Sequence, residues 1–187
     1  MEPRFAAMPM SAVEDEQATT TTRATSGERF TITTTRSFAD VVGAIERAVA
    51  HPNVPELFRR MKDAAGAEAL RRIVDDAVAP HGLLEFIRFD FGLVLAKDEP
   101  PTRRGAVRFM LGNPLVMREL VRGAPDAGSN APVSVLVDER DGHVRLAYDR
   151  TAPGLSGGDP RALESARALD AKVEALLCAA AGAPPPS

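Results

Sequence analysis

The chain has one cysteine, one tyrosine, three histidines and no tryptophan in 187 residues. A single cysteine excludes an internal disulfide and any zinc site built from several thiolates. His51, His81 and His143 lack the spacing of metal ligands, so neither a metal nor a cofactor is expected. No apolar run approaches the roughly 18 residues that cross a bilayer, which leaves no candidate membrane span. A surplus of positive charge is also missing. Twenty-three basic residues against 26 acidic ones give a net charge of −3, so the broad footprint of a nucleic-acid binder is absent and no such partner is expected. Met1 to Val13 holds one arginine and a short apolar patch broken by Pro9, then meets Glu14, Asp15 and Glu16. A secretory signal needs a longer apolar core and a small-residue cleavage site. The expectation is a cytoplasmic bacterial protein in a reducing compartment.

What is present is enough for a sizeable core, with 44% apolar and 26% charged residues. Composition shifts near residue 28. Met1–Gly27 is rich in Ala, Thr, Ser and Glu and includes the run Thr19 to Thr22, so residues 1–27 are expected to form a disordered tail. Residues 182–187 are rich in proline and are expected to fray. A single domain over 28–181 is expected between them.

Within that domain, Phe30 and Ile32 alternate with threonines over Arg29–Thr35, which predicts an opening strand. Ser37 is an N-cap with Asp40 three residues on, and Phe38, Val41, Val42, Ile45 and Val49 follow at helical spacing until Pro52. Pro55–Ala65 and Ala67–Ala79 predict two helical segments with Gly66 between them, forming either one kinked helix or a helical hairpin. Leu84–Phe91 and Ala106–Leu111 read as strands. Asn113 and Pro114 suit the N-cap and first position of a helix over Leu115–Arg122 that Gly123 ends. Pro132–Val137 and His143–Tyr148 predict a hairpin across Asp138 to Gly142, and Asp159 with Pro160 opens a long last helix. The fold class is α+β: a mainly antiparallel sheet with helices packed on one face and an extra helix pair after the first helix.

The stretch from Ala106 to Leu177 carries Val107-Arg108-Phe109, Leu111-Gly112-Asn113-Pro114-Leu115, Ala131-Pro132-Val133, Asp141-Gly142 and Tyr148-Asp149-Arg150. With the Ser37-Phe38-Ala39-Asp40 helix start, it resembles the family called domain of unknown function 302. The resemblance spans about 150 residues and implies a compact α+β fold, self-association and no established activity. Relatives tend to read Asp-His-Gly where this chain has Asp90-Phe91-Gly92, and Pro-Ser-Ser where it has Thr151-Ala152-Pro153. A metal or proton-transfer role for that histidine therefore does not carry over.

Most other motifs dissolve on inspection. Asp90-Phe91-Gly92 spells the magnesium tripeptide of kinases, but the Gly-rich loop, strand lysine and catalytic loop are missing. Gly154, Gly157 and Gly158 lack the Lys-Ser/Thr of a phosphate loop. Cys178 has no neighbouring base. The pairs Arg59-Arg60, Arg71-Arg72 and Arg103-Arg104 fit phosphate contacts, yet Asp75 and Asp76 spoil the second helix as a base reader. The best candidate is a ligand site around Arg108, Gly112, Asn113, Tyr148, Asp149 and Arg150. Free amides at a helix start attract an anion, and paired strand ends bring Arg108 and the Tyr148-Asp149-Arg150 run toward that start. If Asn113 is only a cap, aspartate should replace it at little cost. The function expected is a self-associating ligand-binding or interaction module, a homodimer taking a small anionic ligand. Its alternatives are an enzyme with an Asp90, Tyr148 and Asp149 acid-base set, and a regulatory protein acting through the helix pair.

Overall fold

Alternating apolar and polar residues build five strands, Arg29–Thr34 (β1), Leu84–Asp90 (β2), Ala106–Gly112 (β3), Val133–Arg140 (β4) and His143–Asp149 (β5). In the computed structural model, which describes residues 18, 20–22, 24–25, 27–98, 104–155 and 159–185, they form one antiparallel sheet in the order β1-β5-β4-β3-β2. Most of Met1–Gly27 lies outside the described residues, as do Arg103, Gly157, Gly158 and the last two residues.

Strand periodicity sends Val107, Phe109, Leu111, Val133, Val135, Val137, Val144, Leu146 and Tyr148 to one face, where they form the core. Helices Phe38–Arg47 (α1), Pro114–Gly123 (α5) and Pro160–Ala181 (α6) cover that face, burying Val41, Ile45, Leu120, Leu169, Val173 and Leu177 against it. Each such side chain contributes about 1.5–3 kcal/mol when fully removed from water. The helix pair Val54–Lys62 (α2) and Ala67–Val78 (α3) builds a smaller cluster, Leu57, Val74 and Val78 on Leu84 of β2. The fold class is therefore the α+β arrangement expected.

The helix starts follow their capping residues. Ser37 Oγ accepts from the Asp40 amide at 3.1 Å, Asn53 Oδ1 accepts from Glu56 at 3.1 Å, and Asp159 Oδ1 accepts from Arg161 at 2.7 Å. At the far end of α6, Thr34 Oγ1 and Arg36 Nη1 donate to the Ala181 and Ala180 carbonyls at 2.9 and 2.7 Å. The end of β1 thus satisfies carbonyls that a helix terminus leaves open, with a cation at the negative end of the dipole.

Two local expectations are corrected. The β2 strand stops at Asp90, whose Oδ1 accepts from Leu93 at 3.2 Å and starts a short helix, Phe91–Leu95 (α4); a local cap outweighs the strand propensity of Phe91. The hairpin turn is not five residues but two, Asp141 and Gly142, both at positive φ (51° and 77°), the geometry that matches strand twist. Asp138 to Arg140 belong to β4 because Asp138 is buried beneath arginines. Gly123 is the last residue of α5, and Ala124 is the C-cap. Two 3-10 turns, Pro125–Ser129 and Ala152–Leu155, also had no periodicity to reveal them.

Candidate functional site

Strand β5 ends in Tyr148 and Asp149, and alternation sends the two side chains to opposite faces. Tyr148 points among the helices and is 1% exposed. Its hydroxyl donates to Asp170 of α6 and lies 3.2 Å from Thr151 Oγ1. Asp170 Oδ1 also accepts the Thr151 amide at 2.8 Å, and its Oδ2 accepts the Ala152 amide at 2.9 Å. The buried carboxylate therefore holds both the tyrosine and the turn that follows β5. Burial raises the Tyr148 pKa well above its ordinary value, and the negative charge of Asp170 adds to the shift.

Arg150 continues this network. Its Nε donates to Glu174 Oε1 at 2.6 Å and its Nη1 to Glu28 Oε2 at 2.9 Å, and these bonds raise its pKa. Asp170 and Glu174 stand one turn apart on α6, 6% and 5% exposed. Together with Ala152, Leu163 and Arg167 they line a cavity of about 450 Å³ between α6 and the 3-10 turn. Arg167 is exposed, and among the described residues its guanidinium has no hydrogen-bonding or ionic partner. Glu174 Oε2 makes no hydrogen bond and Asp170 Oδ2 makes one among those residues, which leaves both able to accept further donors.

The six sequence candidates separate into three places. Tyr148 and Arg150 meet at the network just described. Asp149 lies on the helix-free face, bonded to Arg29 at 2.6 and 2.8 Å, and this bonding holds its carboxyl below the usual range. Arg108 is on that same face, its Nε donating to Ser134 Oγ at 2.7 Å, and it shares a shallow hollow of about 240 Å³ with Asp149 and Arg29. Gly112 sits against Phe86, Met117 and Pro132. Asn113 Oδ1 accepts from Leu115 at 2.9 Å while its Nδ2 donates to the Gly82 carbonyl at 3.2 Å. Neither residue lines the cavities that hold the other four. The second bond also alters the expected tolerance of aspartate at 113, because a carboxylate would face the Gly82 carbonyl with no proton to offer.

Asp90, Tyr148 and Asp149 are not brought together either. Asp90 caps α4 on the edge strand β2, three strands from Tyr148 in the sheet order. Asp170 and Glu174 were the residues missed. Their signal is two acids on the stripe of α6 otherwise made by Ala166, Leu169, Val173 and Leu177. Cys178 is buried on that helix, and burial, with Glu174 nearby, raises its thiol pKa. Among the described residues no group of three or more His, Cys, Asp or Glu could hold a metal ion, and no helix is long and apolar enough to cross a membrane.

Residues 58–180 match the model of the family described as Domain of unknown function DUF302. The chain is similar in fold to the crystal structure of an uncharacterized conserved protein DUF302 from Bacillus stearothermophilus, with a TM-score of 0.56 at 13% identity. That likeness covers 81% of this chain and 97% of the other. No curated protein matches the sequence.

Proposed function

The chain belongs to the family described as Domain of unknown function DUF302, and from that premise we propose that it is a small ligand-binding module whose site is the cavity between α6 and Ala152–Leu155. One observation carries this reading. The unpartnered Arg167 guanidinium shares a 450 Å³ cavity with two buried carboxylates that retain acceptor capacity. Such a cavity suits a small molecule with an anionic group for Arg167 and a hydroxyl or ammonium for Glu174 and Asp170. Leu163, Ala152 and Ala171 would take its apolar part. Binding is favoured over catalysis because Tyr148 holds its proton tightly and Asp170 already accepts three donors.

The experiment is thermal unfolding with a panel of hydroxy acids, amino acids and phosphate esters. A ligand at about 100 times its Kd should stabilise by about 2.7 kcal/mol. Arg167→Ala should abolish that rise while leaving the ligand-free midpoint in place. If no member of the panel moves the midpoint at millimolar concentration, the reading fails.

A second reading, self-association, is favoured by the β2 edge of the sheet. There Ile87, Phe89, Leu93 and Val94 are 50%, 42%, 68% and 67% exposed, and among the described residues no further strand pairs with the edge beyond the Ala50 bridge at Leu84. A second copy pairing β2 with β2 about a two-fold axis would cover both. Sedimentation at micromolar concentration should show a dimer that Phe89→Lys dissociates. A 19.9 kDa species alone would exclude it.

A further inference from the structure

The face of the sheet that the helices leave open has a charge opposite to that of the chain. Arg29, Arg108, Arg140 and Arg145 project from it by strand alternation, and Arg104 reaches onto it to within 3.8 Å of Asp138. Among the described residues two carboxylates, Asp138 and Asp149, pair with these five arginines, a local surplus of three positive charges in a chain whose net charge is −3. Asp138 is 1% exposed because three guanidiniums lie over it: Arg140 Nε at 2.5 Å, Arg145 Nη2 at 3.4 Å and Arg104 Nη2 at 3.8 Å. One carboxylate cannot neutralise three cations, and among the described residues the buried Arg145 Nε has no hydrogen-bond partner. Among the described residues Arg108 is bonded only to a hydroxyl, Ser134 Oγ.

The same face carries aromatic rings. Phe89 pairs with Arg108 in the β2–β3 register, and its ring stacks on Phe91 with centroids 6.4 Å apart and planes 11° apart. The two are 42% and 40% exposed, and Phe91 lines the hollow that holds Arg108, Ser134 and Leu136. In the sheet order two strand spacings separate Phe89 on β2 from Arg140 on β4 and three separate it from Arg145 on β5, each spacing about 4.8 Å.

We propose that this open sheet face binds single-stranded nucleic acid, with phosphates on Arg104, Arg108, Arg140 and Arg145 and bases stacked on Phe89 and Phe91. Exposed rings beside a cationic track are what unpaired strands require, since every base has a π face and every nucleotide an anionic link. A plain inorganic anion would use the arginines and leave the rings idle. A second copy laid face to face would oppose two surfaces of like charge.

The test is fluorescence anisotropy of a labelled oligothymidylate of about 12 nucleotides against the full chain, with unlabelled inorganic polyphosphate as competitor. Binding should weaken with salt, the log–log slope near −2 for about three phosphates on a single strand. Arg108→Gln and Arg140→Gln should each weaken binding several-fold. Phe89→Ala should weaken it about tenfold, and Arg72→Gln, on α3 and away from the sheet, should leave it unchanged. Melting midpoints identify any variant that fails to fold, in which case Phe91→Ala replaces Phe89→Ala. Four results would overturn the proposal: no anisotropy change with the unmutated chain; equal losses for Arg72→Gln and Arg108→Gln; polyphosphate competing as well as oligonucleotide while both Phe variants bind normally; or a dimer, without any oligonucleotide, that Arg108→Gln dissociates.

Discussion

Tyr148 is the chain's only tyrosine, and its hydroxyl is placed where losing a proton costs the most. Below pH 10 both folded and unfolded chains keep that proton, so the hydrogen bond to Asp170 contributes fully to stability. As pH rises past the ordinary tyrosine value near 10, the unfolded chain ionises while the native chain, with its raised pKa, does not. The native state then binds more protons, so stability falls with increasing pH. Tyrosinate absorbance should therefore appear only as the protein unfolds, a clean readout with one tyrosine and no tryptophan. Tyr148→Phe should cost about 1–3 kcal/mol at neutral pH and should flatten the alkaline decline; an unchanged decline would place its cause elsewhere. The tyrosine was legible in sequence as a strand-end residue but its partner was not, because Asp170 lies 22 positions away. Asn113 shows the converse. The cap was legible from Asn113-Pro114, whereas the bond to Gly82 depends on β2 and β3 lying side by side.

At the scale of elements, amphipathic periods and capping residues placed every strand and every helix of two turns or more, since those signals are local. Contacts between elements left fainter marks. Gly123 reads as a helix terminator, yet its role is to let α5 approach the start of α6. A Cβ there would sit 2.7 Å from the Ala162 Cβ and 2.9 Å from the Asp159 Cβ. Ordinarily glycine to alanine within a helix gains about 1 kcal/mol. Here the overlap costs about 1–3 kcal/mol, so Gly123→Ala should lower the urea midpoint, with a net loss of about 1 kcal/mol. A raised midpoint would show that the two helices can separate freely. The short α4 escaped notice for a related reason: its five residues offer no period to detect, and the Asp90 side chain alone decides where β2 stops.

For the molecule as a whole, the net charge of −3 concealed an uneven distribution. The arginines of β4 and β5 are near neighbours in sequence, but strand alternation and pairing decide that they share a face, and no sum over the chain contains that information. The sheet order has one more consequence, in time rather than in space. Among the described residues β1 is the first strand yet pairs only with β5, Arg29 opposite Asp149, 120 positions later. During synthesis from the N-terminus it stays unpaired until almost the whole sheet exists. At about 5–20 residues per second, that wait is on the order of 6–24 seconds, and closing so long a loop slows the pairing further. The three central strands, β3, β4 and β5, are also the last three made. Because β2 is already made when β3 emerges, the sheet can grow from the β2 edge through β3 and β4 to β5, with the oldest strand, β1, docking last.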